Sequence, residues 1–132
     1  MHFGRQNLSK IIYPSHLPYP FAKAVRAGDF VFISGQLPMG PDGQIVQGGI
    51  EIQTRQVLEN IKTVLEETGC TLDDVVKNTI WLEQPRDFGG FNKVYAEYFG
   101  DSPPARATVA SVLMLDARIE IESLAYKPLD EG

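Results

Sequence analysis

Two short stretches carry residues that could do chemistry together. "SPPARATVASV", residues 102 to 112, sets Arg106 at the mouth of an alternating run behind two prolines. "ARIEIESLAY", residues 117 to 126, alternates Ile119 and Ile121 with Glu120 and Glu122. A guanidinium stays protonated at any physiological pH and meets a carboxylate through two parallel hydrogen bonds. A carboxylate can orient a water and accept its proton. A fixed cation and carboxylates on neighbouring strands would therefore hold an anion and move a proton. The competing reading is a solvated sheet face, and Glu122, on the same side as Glu120, has no further role to claim.

Elements must position these residues, and the hydrophobic pattern outlines them. Residues 1 to 19, with prolines at 14 and 18, read as an extended, irregular arm. "FAKAVRAGDFVFISGQ" reads as a hairpin turning at "AGD". "LPMGPDGQIVQGG" is a glycine- and proline-marked loop around a brief extended piece. Val57, Leu58, Ile61, Val64 and Leu65 recur at three- and four-residue spacing, which predicts a helix over 51–68 ended by Gly69. Thr71 with Asp74 is a helix-start signal for one short turn, and "VVKNTIWLE" is a strand. A second helix is predicted over 87–99, with Phe88, Phe91, Val94, Tyr95, Tyr98 and Phe99 as its core-facing side and Gly100 closing it.

The resulting order, β-β-α-β-α-β-β, predicts an α+β fold: one sheet with both helices on one face. The other face would be left bare, and a bare face bearing Trp and Phe in so small a chain calls for burial against copies of itself. At 132 residues the chain is read as one domain, 1–132. Net charge is −5 and the Lys and Arg residues are scattered, which disfavours a partner held through nucleic-acid phosphates. One cysteine, Cys70, permits no internal disulfide and reads as structural; with only His2 and His16 it supplies no closed zinc site. No apolar run reaches membrane-spanning length. The expectation is a cytoplasmic protein without metal or cofactor.

The segments "AVRAGDFVFISGQ", "QTRQVLENIKTVLEETGCTLDDVVKNTIWL", "DFGGFNKVYAEYF", "PPARATV" and "IEIESLAY" together resemble the reactive-intermediate deaminase family, the Rid or YjgF-like proteins. The resemblance covers residues 20 to 127, and five segments in the right order make it specific. It implies a chorismate-mutase-like fold, a homotrimer, and three sites in the clefts between subunits. It also implies hydrolysis of 2-enamino and 2-imino acids, such as 2-aminoacrylate, to keto acids and ammonia. The family's carboxylate-binding arginine falls on Arg106 and its glutamate on Glu120. Its S-G-Q serine falls on Ser34, with Gly35 beside it, and its helix asparagine falls on Asn92. The chain departs from the family at three of the positions expected to bind substrate. Phe21 stands at a tyrosine position, Lys23 at a glutamine position, and Thr108 at a frequent cysteine position.

Imines are hydrolytically unstable already, so positioning plus one acid–base group would suffice without a metal. Side chains two apart on a strand share a face, which would turn Lys23 the same way as Phe21. Lys23 would then offer a second cation and favour imines of dicarboxylic acids; the alternative is that it snorkels to solvent. Two other functions compete: a non-catalytic sensor of small carboxylates, and an RNA-directed protein of the kind named by the family's older labels.

Overall fold

In the computed structural model, residues 10–129 are described. The apolar spacing of "VLENIKTVL" yields α1, Ile50–Glu67, and buries Val57, Leu58, Ile61, Val64 and Leu65 as that spacing requires. The helix ends through backbone geometry that only glycine takes without strain. Gly69 has φ +82°, its N–H donates to Glu66 O at 3.2 Å, and the Cys70 N–H donates to Leu65 O at 2.8 Å. Thr71 and Asp74 then form a reciprocal cap on the 3-10 turn Leu72–Asp74. The second helix, α2, spans Phe88–Phe99 and buries Phe91, Val94, Tyr95 and Phe99. Gly100 does cap it, but in a right-handed conformation (φ −64°), so its flexibility is not what stops the helix.

Among the described residues six strands form one mixed sheet: β1 Lys10–Pro14, β2 Ala22–Ala27, β3 Phe30–Gln36, β4 Val75–Leu82, β5 Ala105–Ala110 and β6 Ile119–Tyr126. Their order across the sheet is β1-β2-β3-β6-β4-β5. Only β4 and β5 run parallel; every other neighbouring pair is antiparallel. The hairpin of β2 and β3 turns at Gly28, whose φ of +59° fits the two-residue turn.

Two sequence expectations need correction. The arm is not irregular throughout, because Lys10–Pro14 pairs antiparallel with β2 as an edge strand. Its "IIY" core is β-favouring, and an edge position tolerates the proline that closes it. Arg106 and Glu120 are also not on neighbouring strands, because β4 lies between β5 and β6.

Period-two alternation sorts the sheet residues between its faces. Val31, Ile33, Asn78, Ile80, Leu82, Ile119, Ile121 and Ser123 are buried on the face that α1 and α2 cover. On the other face Phe30, Phe32, Val109 and Tyr126 stay 40 to 50% exposed, and Phe30 packs against Tyr126 in a tilted arrangement with ring centres 5.2 Å apart. Across the outer surface Arg55 grips both Glu97 carboxylate oxygens, at 2.9 and 3.2 Å, tying α1 to α2. Among the described residues no helix is long and apolar enough to cross a membrane.

The two glycine environments give opposite expectations. Gly69→Ala forces a Cβ into the left-handed region and is expected to cost about 1 kcal/mol in urea unfolding. Gly89→Ala lies inside α2 with open space where its methyl would go, and is expected to gain up to about 1 kcal/mol.

Candidate active site

Arg106 points from β5 to the helix-covered face. Its register partner on β4 is Asn78, which is fully buried under α2. Its Nη2 donates to Asn92 Oδ1 at 2.7 Å. Its guanidinium carbon lies 4.9 Å from the centre of the Tyr95 ring, 5.1 Å from Phe91 and 5.7 Å from Phe88. These partners are all neutral, and among the described residues no carboxylate pairs with Arg106. Rings and an amide oxygen orient a guanidinium without cancelling its charge. Thr108, two residues on, shares that face, and its buried Oγ1 has no hydrogen-bond partner among the described residues. This half of the site is a held cation with spare donors beside it.

Glu120 belongs to a second group, on the opposite face. Ser34 and Gly35 occupy a bulge of β3, where the register with β6 slips between Ile33 and Gln36. The bulge brings the Gly35 backbone against the Glu120 side chain, so that a Cβ built on Gly35 would collide with Oε2. A larger residue there would push the Glu120 carboxylate out of its present position. The Ser34 hydroxyl donates to Ala22 O at 2.7 Å, which ties the bulge to β2 next to Phe21, a half-exposed ring. Glu120 itself makes no hydrogen bond or ion pair among the described residues. Burial, and secondarily the neighbouring Glu122 charge, push its carboxyl above the usual carboxylate range. A carboxylate in that state is a better proton acceptor than a solvated one.

The two halves do not meet within one chain. Arg106 is level with Asn78 and Glu120 with Trp81, three residues further along β4, and β4 separates their strands. At about 3.3 Å per residue and about 4.8 Å per strand, their Cα atoms lie on the order of 14 Å apart. Their side chains also leave opposite faces. Ser34, Gly35, Glu120 and neighbouring Phe21 are brought together, and so are Asn92, Arg106 and Thr108.

Lys23 joins neither group. Its Nζ lies 2.9 Å from Glu67 Oε1 at the end of α1, so the expected second cation for a dicarboxylate is already paired. The slip in β1–β2 register between Tyr13 and Pro14 falls beside Lys23 and disturbs the alternation on which that expectation rested. The sequence reading assigned the aromatic run 88–99 to the core and missed that Phe88, Phe91 and Tyr95 also frame Arg106. The available signal was Phe88, Phe91 and Tyr95 at i, i+3 and i+7 around Asn92, one stripe of the helix. Cys70 is buried, and burial pushes its thiol up. Among the described residues no three of His, Cys, Asp and Glu are grouped as a metal would require; His2 lies outside those residues.

A mixed sheet backed by two helices, carrying a guanidinium on one face and a desolvated carboxylate on the other, defines an α+β protein with divided site chemistry. The family model described as Endoribonuclease L-PSP matches residues 15–127, and the chain belongs to that family, which includes the Rid proteins. A RutC family protein of Pyrococcus horikoshii is 50% identical over 125 residues, covering 91% of this chain and 99% of that one. The 2-iminobutanoate/2-iminopropanoate deaminase of Mus musculus is 39% identical over 110 residues, covering 82% of each chain. A solved Rid-family structure from Yersinia pestis superposes with a TM-score of 0.82 at 38% identity, over 89% of this chain and 98% of that one.

The assigned cause of the Glu120 shift can be read directly. In Glu122→Gln, carbon-detected NMR is expected to show the Glu120 carboxyl titrating at lower pH than in the parent, because a repelling charge is gone. An unmoved midpoint would leave burial as the sole cause.

Proposed function

We propose that this protein is an enamine/imine deaminase that hydrolyses reactive 2-imino and 2-enamino acids to 2-keto acids and ammonia. The observation that carries the reading is the pair of complementary half-sites. One is a guanidinium held by neutral groups, and the other is a desolvated carboxylate without a partner among the described residues. Membership of the family and likeness to the mouse deaminase support it. A net charge of −5 counts against an enzyme that must engage RNA phosphates.

Arg106, presented by Asn92 and the aromatic frame, clamps the substrate carboxylate through paired hydrogen bonds. Thr108 offers its unpartnered hydroxyl beside that clamp. Glu120 orients a water towards the imine carbon, and Ser34 and Gly35 shape the wall beside it. As the water oxygen bonds to the carbon of the protonated imine, Glu120 takes a proton from the water and the C=N π pair moves onto nitrogen, giving the carbinolamine. Glu120 returns that proton to the amine nitrogen, the carbon–nitrogen bond breaks to release ammonia, and the hydroxyl oxygen gives up its proton as the carbonyl of the keto acid forms. An enamine enters the same path after protonation at its β-carbon.

Because one chain separates Arg106 from Glu120, the working site joins the Arg106 half of one copy to the Glu120 half of another. A homotrimer in which the β5 edge of each copy meets the bare sheet face of the next supplies three such junctions.

The test couples an imine-releasing dehydratase or amino-acid oxidase to keto-acid formation. Arg106→Ala is expected to lower kcat/KM by at least about 30-fold, the lower end for a lost charge-assisted clamp. Glu120→Gln is expected to lower kcat by roughly 100- to 10,000-fold, with little effect on ligand affinity. Oligomers assembled from equal amounts of the two mutant chains are expected to recover about a quarter of the wild-type sites, since half the Arg106 donors meet half the Glu120 donors intact. Mixtures no more active than either mutant alone would mean that both residues serve from the same chain.

A further inference from the structure

A row of buried polar side chains runs across the helix-covered face of the sheet, where its neighbours are apolar. Ser123 on β6, Asn78 on β4 and Arg106 on β5 are register partners and so point the same way. Ser123 Oγ donates to Asn78 Oδ1 at 2.6 Å, and Asn78 Nδ2 donates to Tyr95 Oη at 3.0 Å. Asn78 is 0%, Ser123 4% and Tyr95 6% exposed. The adjacent row, Ile80 against Ile121, is aliphatic and also fully buried. Burying an amide and a hydroxyl here costs free energy that their mutual hydrogen bonds only offset, so aliphatic side chains would serve the core as well. What the polar row does that aliphatic residues could not is hold the Tyr95 hydroxyl at a fixed point.

We propose that Ser123, Asn78 and Tyr95 form a positioning network that sets the orientation of the Arg106 guanidinium for its carboxylate ligand. The inference rests on the reading of Arg106 as the substrate clamp. Asn78 anchors one end of Tyr95 from beneath the sheet-facing side of α2. The Tyr95 ring, thereby fixed, is the nearest of the three against which the guanidinium lies. Phe91 packs tilted against Tyr95 at 5.1 Å between ring centres, and Asn92 holds Nη2 from the same helix. Two of the planar group's contacts, a ring face and an amide oxygen, thus come from one rigid turn of α2. That turn is locked to the sheet through Asn78. A bidentate ion pair depends on the plane of the guanidinium, so this network acts on ligand binding rather than on proton transfer.

Tyr95→Phe keeps the ring and its packing and removes only the anchored oxygen. Its KM for in-situ 2-iminobutanoate and its Kd for the product 2-oxobutanoate are expected to rise at least about fivefold, with kcat within about twofold of the parent. Ser123→Ala, at the far end of the row, is expected to shift both constants in the same direction by less. Tyr98→Phe is the control, because its hydroxyl bonds Glu59 on the outer surface at 2.6 Å and its loss is expected to change melting temperature alone. The inference is overturned if Tyr95→Phe and Ser123→Ala bind 2-oxobutanoate like the parent while Arg106→Ala does not. Should Arg106→Ala itself bind like the parent, the clamp reading fails and the network's role falls with it. If Tyr95→Phe does not fold, the Ser123→Ala constants decide.

Discussion

The arrangement of this protein follows from a single strand inserted between two others. With β4 between β5 and β6, Arg106 and Glu120 sit on strands that do not touch, and the period of two sends their side chains to opposite faces. No rotamer change within one chain overcomes that. A glycine bulge in β3 accommodates the carboxylate on one side, and α2 shapes the surroundings of the cation on the other. Each half is complete in its own support and incomplete in its chemistry.

Both charges are kept available rather than neutralised. Arg106 has three rings and an amide oxygen for company, none of which competes for its charge. Glu120 is half-buried beside Glu122 and, among the described residues, pairs with no cation, which raises the free energy of its ionised form. Burying a charge without a counter-charge is costly, and functional sites are where that cost recurs. In the proposed assembly a second copy brings the missing opposite charge near each group, with the substrate carboxylate and the water between them. Lys23 shows the contrast: its pairing with Glu67 makes it a brace between β2 and α1.

Local pattern made the helices legible. Val57 to Leu65 and Phe91 to Phe99 have the spacing of one buried face, and Gly69 and the Thr71–Asp74 box mark boundaries by chemistry visible in a few residues. The strand at Lys10–Pro14 was hidden because proline-rich surroundings read as loop, and edge pairing with β2 is a tertiary fact. Strand order was hidden for the same reason: nothing within "IEIESLAY" tells which strands will flank it. Family resemblance brought Arg106, Asn92, Ser34, Gly35 and Glu120 to notice, but not their division between two faces. The ion pair of Lys23 with a residue 44 positions away, and the row Ser123–Asn78–Tyr95, needed three-dimensional register to be seen.

The central claim is that the substrate spans two copies of the chain. A crystal structure of the protein with 2-oxobutanoate bound tests it most directly. The ligand carboxylate is expected to pair with two of the three guanidinium nitrogens of Arg106 from one copy. The keto carbon is expected to face Glu120 and Gly35 of a neighbouring copy. A ligand whose carboxylate lies away from Arg106, or whose polar contacts all come from a single chain, would contradict it.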